Sequence, residues 1–178
     1  MATPPERLHI VGRGDLRFAA PELVFGCGSD DPLAMARADI YLVGSALFEI
    51  ATGVGLTSAA LGDPRQITAR LARMPRNVRL SEFNGRISEL RQRQVSAYEI
   101  FRTEMPSHLR NPATGLLRLL TDPDPTKRTP ALRQRTADPW DLQWLLGRID
   151  VLKKIDEYHT SLEIKRQRRA RRREARRS

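Results

Sequence analysis

The sequence predicts a mainly α-helical body followed by a long C-terminal helix and a basic tail, and three observations carry that expectation. From Ala38 to Gly53 the chain is apolar on nearly every side: Ile40, Val43, Leu47 and Ile50 lie along one line, with Tyr41, Leu42, Ala46 and Phe48 on the others. That pattern belongs to a helix surrounded by the rest of its fold. Ile67, Leu71 and Met74, and then Phe83, Ile87, Leu90, Val95, Tyr98, Ile100 and Phe101, recur at helical spacing among Arg and Glu. Beyond Asp138-Pro139, the residues Leu142, Leu145, Leu146, Ile149, Leu152, Ile155 and Leu162 mark one face of a further helix.

Taken in order, residues 1–13 contain Pro4-Pro5 and no periodicity, which predicts an extended or mobile segment in which Thr3 is an ordinary unmodified residue. Phe18 to Phe25 holds a short helical turn, because Pro21 suits a first helical position and Glu22 suits the positive end of a helix. Gly26 to Leu33 is a polar loop. Asp30 and Asp31 read there as a solvated turn, since no other ligand is spaced to join them around a metal. Asp39 is expected to cap the central helix and Gly53 to end it, glycine taking the left-handed conformation without a Cβ penalty. Asp63-Pro64 starts a helix running to Met74, Leu80 to Met105 forms a longer one or two helices with an unclear break, and Pro112 to Leu120 a short one. In the last helix Asp138 is the expected N-cap, Pro139 the first residue and Asp141 a first-turn acid. If helical to Arg173 it would run roughly 50 Å. That is more than the body can cover, so its first half, with Trp140 and Trp144, should pack back and its second half should project or pair in a coiled coil.

The composition of the 178 residues, 40% hydrophobic and 29% charged, is that of one medium globular domain rather than a disordered chain. The net charge of +10 is unevenly placed: residues 163–178 hold nine Arg or Lys against two Glu, leaving +3 for the preceding 162 residues. The 27 Arg against 4 Lys point to a GC-rich bacterial genome. Cys27 is the lone cysteine, which excludes an internal disulfide and fits a reducing, cytoplasmic setting. The N-terminus lacks the basic start and apolar core of a signal peptide. Ile40 to Gly62 approaches the length of a membrane span, but Glu49 and the glycines at 44, 53, 55 and 62 break it, so no membrane span is expected.

Three motifs then stand in a recognisable order. Gly14-Asp15-Leu16-Arg17-Phe18-Ala19-Ala20-Pro21-Glu22 resembles the Gly-Thr-x-x-Tyr-x-Ala-Pro-Glu stretch that closes the activation segment of protein kinases. Asp39-Ile40-Tyr41-Leu42-Val43-Gly44 resembles the Asp-x-Trp-x-x-Gly opening of the kinase central helix, and Leu47-Phe48-Glu49 to Gly53 its usual ending. Leu119-Leu120-Thr121-Asp122-Pro123-Asp124-Pro125-Thr126-Lys127-Arg128 resembles the Leu-Leu-x-x-Asp-Pro-x-x-Arg run late in the same domain.

The resemblance covers roughly residues 12 to 135 and implies the C-terminal part of a kinase-like large lobe. It divides the chain into a flexible segment 1–13, a truncated kinase-like C-lobe 14–137, an amphipathic helix 138–164 and an Arg-rich tail 165–178. It also implies a structural set: Ala20, Pro21 and Glu22, with Glu22 in a buried ion pair with Arg128, then Asp39 and Gly44. In complete kinases the residue matching Asp39 accepts hydrogen bonds from the catalytic loop; without that loop Asp39 either caps its helix or stands unpaired, which would leave an unstable body or one completed by another chain. Asp15 departs from the family's threonine. The 178 residues contain no His-Arg-Asp loop, no Asp-Phe-Gly and no glycine-rich loop followed by a strand lysine, and Gly12-Arg13-Gly14 does not substitute for the last. No catalytic, cofactor or metal residue is assigned.

Three functions fit this reading. One is a non-catalytic, pseudokinase-like scaffold with a protein partner. Another is part of a serine/threonine kinase whose ATP-binding half comes from upstream sequence or a partner chain, with ATP and Mg required in that case alone. The third is nonspecific contact of Arg166, Arg168, Arg169, Arg171, Arg172, Arg173, Arg176 and Arg177 with nucleic acid or an anionic surface. Other chemistry is set aside. His9, His108 and His159 are too scattered along the chain for a metal site, Cys27 has no base beside it, and no serine sits in a nucleophile elbow.

Overall fold

The computed structural model describes residues 15–28, 32–128 and 142–175, and among them the regular structure is helical throughout. Seven α-helices follow one another: α1 (Pro21–Val24), α2 (Pro32–Thr52), α3 (Leu56–Leu61), α4 (Pro64–Leu71), α5 (Arg76–Glu104), α6 (Arg110–Leu120) and α7 (Gln143–Glu174), with a 3-10 turn at Pro125–Lys127 between the last two. The expectations for Thr3, His9, Gly12 to Gly14, Asp30, Asp31, Asp138, Pro139, Trp140, Asp141, Arg176 and Arg177 fall outside the described residues.

Helix α2 is the axis of the body. Ala38, Tyr41 and Phe48 pack with Leu56 of α3, Ala97, Tyr98 and Phe101 of α5, and Ala113 and Leu117 of α6 in one buried cluster. Phe48 and Phe101 stack with ring centroids 6.3 Å apart, and a fully buried side chain of this size is worth about 1.5–3 kcal/mol. A second cluster joins Ala19, Val24 and Phe25 to Leu71 of α4 and Phe83 and Leu90 of α5. A third joins Ile40 of α2 to Leu116 and Leu120 of α6 and to Leu145, where α7 docks on the body.

Local chemistry sets the boundaries. Gly53 closes α2 at φ +74°, its N–H donating to the Glu49 carbonyl at 2.7 Å. The Asp63 side chain accepts from the Arg65 N–H at 2.9 Å and Pro64 follows at the first helical position, so α4 begins where the sequence places it. The front of α2 differs from the expectation. Asp39 is the eighth residue of the helix, which starts at Pro32, because Met35, Ala36 and Ala38 continue the buried period upstream and outweigh a capping signal. Half-buried and with a partner of its own, Asp39 is not the unpaired buried carboxylate considered above.

Three further corrections follow from packing. Helix α2 is not covered on nearly every side: Leu42, Val43, Ala46 and Ile50 are exposed, Ile50 by 85%, because α3, α5 and α6 all lie against the opposite face. Helix α5 begins at Arg76 rather than Leu80 and runs 29 residues unbroken, and α3, hidden in a glycine-flanked stretch, was not expected as a helix. The histidines, distant in sequence, do meet: His108 and His159 stack with centroids 4.3 Å apart, and His108 Nε2 lies 2.9 Å from the Asp156 carboxylate. Stacked rings do not converge their nitrogens on one point, so the contact fastens α7 to the body. Beyond it, every described side chain from Glu163 to Ala175 is exposed.

Candidate functional site

A dense polar knot in the interior is built around Arg128, whose side chain has no exposure at all. Pro21 opens α1 and thereby sets Glu22 in its first turn. The Asp124 carboxylate accepts from the Thr126 N–H at 3.0 Å and hydroxyl at 2.7 Å, which folds the 3-10 turn and brings Arg128 round to face α1. The guanidinium then meets the Glu22 carboxylate through two parallel bonds, Nη1 to Oε1 at 2.6 Å and Nη2 to Oε2 at 2.7 Å. Its remaining N–H groups donate to the carbonyls of Asp122 (2.8 Å), Arg37 (2.9 Å) and Pro123 (3.4 Å). An arginine has five N–H donors, and here each finds an acceptor. The plane also lies over the Tyr41 ring, 4.8 Å from its centroid.

A polar network that sequence reasoning missed continues from Tyr41. The Thr57 hydroxyl donates to the Ala19 carbonyl at 2.8 Å and lies 3.3 Å from the Tyr41 hydroxyl. Gln94 Nε2 donates to the Thr121 carbonyl at 3.1 Å, and its Oε1 accepts from the Tyr98 hydroxyl at 2.8 Å. The Tyr98 and Thr121 hydroxyls are 3.0 Å apart. Burial pushes the Tyr41 phenol up to about 12 despite the hydrogen bonds and Arg128 beside it, and it raises that of Tyr98 further. A signal for this network was in the sequence: Gln94 occupies the inward position between Leu90 and Ala97 on α5, where an apolar residue is the default.

Gly44 serves packing. A Cβ placed on it would lie 2.4 Å from Thr121 Cγ2 and 2.8 Å from Leu120 Cβ, so α2 and the end of α6 approach through the missing side chain. Ala20 is buried in the α2 cluster. Asp15 folds onto its neighbour instead of reaching inward: its carboxylate accepts from the Arg17 N–H (3.0 Å) and Nε (2.6 Å), and the former bond, with the latter, holds it below the ordinary carboxylate range. These two residues, with Ser58, Asp63 and Arg65, line an open groove of about 600 Å³.

The structure therefore brings Ala20, Pro21, Glu22, Gly44 and Arg128 into the interior around α2 and leaves Asp39 at its half-exposed edge. Arg166, Arg168, Arg169, Arg171, Arg172 and Arg173 lie far from it, along the exposed end of α7. Cys27 is half-buried, its Sγ–H donating to the Phe25 carbonyl, and burial raises the thiol to about 11. No group of three or more potential metal-ligating side chains gathers among the described residues, and no described helix is long and apolar enough to cross a membrane. Comparison of the chain with protein-family models, with curated proteins and with solved structures finds no match.

Proposed function

We propose that the chain is the C-terminal part of a protein-kinase-like large lobe acting as a non-catalytic, pseudokinase-like scaffold or interaction protein. The observation that carries this reading is the direction in which its polar groups face. Glu22, Arg128, Tyr41, Gln94, Tyr98 and Thr121 bond to one another and to the backbone inside the body, so they lock elements together and are consumed by the fold. The apolar surface points outward instead, along Leu42, Val43 and Ile50 of α2. Exposed apolar rows of this kind are among the surfaces through which a body meets another protein. The test is phosphoryl transfer: the full chain incubated with Mg-ATP and a basic protein substrate should transfer no phosphate above a blank. Incorporation that persists after repeated purification would contradict the reading.

The same outward row favours a second reading, in which α2 is covered by the ATP-binding half of a serine/threonine kinase supplied by upstream sequence or a partner chain. The reading frame upstream of Met1 separates the two. In-frame coding for a glycine-rich loop, His-Arg-Asp and Asp-Phe-Gly decides for the kinase completed by upstream sequence, and without it only a partner chain could supply that half.

A further inference from the structure

The distal end of α7 makes a second surface, unrelated to the buried knot. The helix continues unbroken to Glu174, and from Glu163 onward its described side chains are all exposed, so the run Lys165 to Glu174 stands clear of the body as a helical arm about 15 Å long. Seven of those ten residues are Lys or Arg. The helical repeat sorts them. At about 100° per residue, Lys165, Arg166, Arg168, Arg169, Arg171, Arg172 and Arg173 fall within an arc of roughly 220°, while Gln167, Ala170 and Glu174 gather within about 60° on the opposite side. The Arg-rich tail is thus a basic helix with a neutral-to-acidic back.

We propose that this arm binds the phosphate backbone of double-stranded nucleic acid without sequence preference. Three features select this partner. The charges are nearly all guanidinium, whose planar fork matches phosphate oxygens in two-pronged fashion. The back of the arm has no apolar residue larger than Ala170, whereas a helix that lies on a membrane needs a broad apolar face to bury. The nearest aromatic rings, Tyr158 and His159, lie six or more residues before Lys165, so nothing interleaves the arginines to stack on unpaired bases, as single-strand binders require. A bare cationic cylinder fits the major groove of B-form DNA, about 12 Å wide, and on either kind of duplex it gains affinity by releasing counterions from the phosphates.

The experiment uses the full chain. Binding to two 20-base-pair DNA duplexes of unrelated sequence, the matching RNA duplexes, the single strands and vesicles of phosphatidylserine and phosphatidylcholine is measured by anisotropy or sedimentation at several salt concentrations. Four to six phosphates engaged at once give a slope of log affinity on log salt of roughly −4 to −5 for the DNA duplex. Substituting Arg168, Arg169, Arg172 and Arg173 by Gln should flatten that slope by about 3 to 4 and weaken duplex binding at least a hundredfold at low salt. Gln167→Ala, on the back of the arm, should leave both unchanged. Circular dichroism of each variant verifies that α7 stays helical. Duplex binding unaffected by the fourfold substitution, a slope near zero, a tenfold preference for one duplex sequence, or tighter binding to vesicles or single strands than to duplex would each overturn the proposal.

Discussion

Arg128→Ala probes the interior most severely. The substitution removes five N–H donors at once and leaves the Glu22 carboxylate, 8% exposed, facing a void beside the Tyr41 ring, with the carbonyls of Arg37, Asp122 and Pro123 also losing their partner. Removing one member of a buried, hydrogen-bonded ion pair costs about 3–5 kcal/mol. For a domain of this size each kcal/mol moves the melting temperature by about 2–4 °C, so Arg128→Ala should melt roughly 10 °C below the parent. Arg128→Lys keeps the charge but cannot form the fork and should fall between the two. The double substitution Glu22→Leu with Arg128→Met should be less damaging than Arg128→Ala alone, because it removes both charges and leaves no carboxylate stranded. Thermal melts of the four proteins followed by circular dichroism give the comparison. A drop of less than about 2 °C for Arg128→Ala, or a double variant that melts below Arg128→Ala, would refute the claim that this pair locks α1 to the body.

Further perturbations read other joints of the structure. Gly44→Ala places a methyl 2.4 Å from Thr121 Cγ2 and should lower the urea midpoint by the equivalent of about 1–3 kcal/mol, with a larger loss for Gly44→Val. At Asp124, burial pushes the carboxyl up, but the Thr126 hydroxyl and amide outweigh it and hold the group below its ordinary value of 3.8. A depressed folded value contributes stability above the unfolded pKa that is lost as pH falls through the folded one. Urea midpoints measured from about pH 5 down to pH 2.5 should therefore decline less steeply in Asp124→Asn than in the parent. Cys27, raised to about 11 by burial, should react with a disulfide reagent at pH 8 about a hundredfold more slowly in the native chain than in urea. Equal rates would mean the thiol is not shielded.

Much of this architecture was legible beforehand, and the residues show why. Asp63-Pro64 and Gly53 act through backbone chemistry confined to a few neighbours, so a capping acid or a left-handed glycine predicts its own helix end. Glu22 and Arg128, 106 residues apart, were paired in advance only through the order of motifs around them. For the Gln94 network the sequence marks only the inward position of Gln94; its partners lie 27 and 53 residues away, where no local pattern points to them. The front of α2 was misplaced because Asp39 carries a capping chemistry that the continuing apolar period overrides. Its outer face was misjudged for a related reason: hydrophobicity records what a surface could bury, whereas exposure of Ile50 depends on whether another element packs there. At the C-terminus the arginine count was plain, but its sorting onto one side required the helix to continue without a break to Glu174.

Scanning calorimetry of the full chain, alone and with millimolar Mg-ATP, tests the account at its centre. A body closed by its own inward-facing polar knot should unfold in one transition whose calorimetric and van't Hoff enthalpies agree, with a midpoint that Mg-ATP leaves in place. A broad, noncooperative melt, or a midpoint that climbs with Mg-ATP, would contradict it.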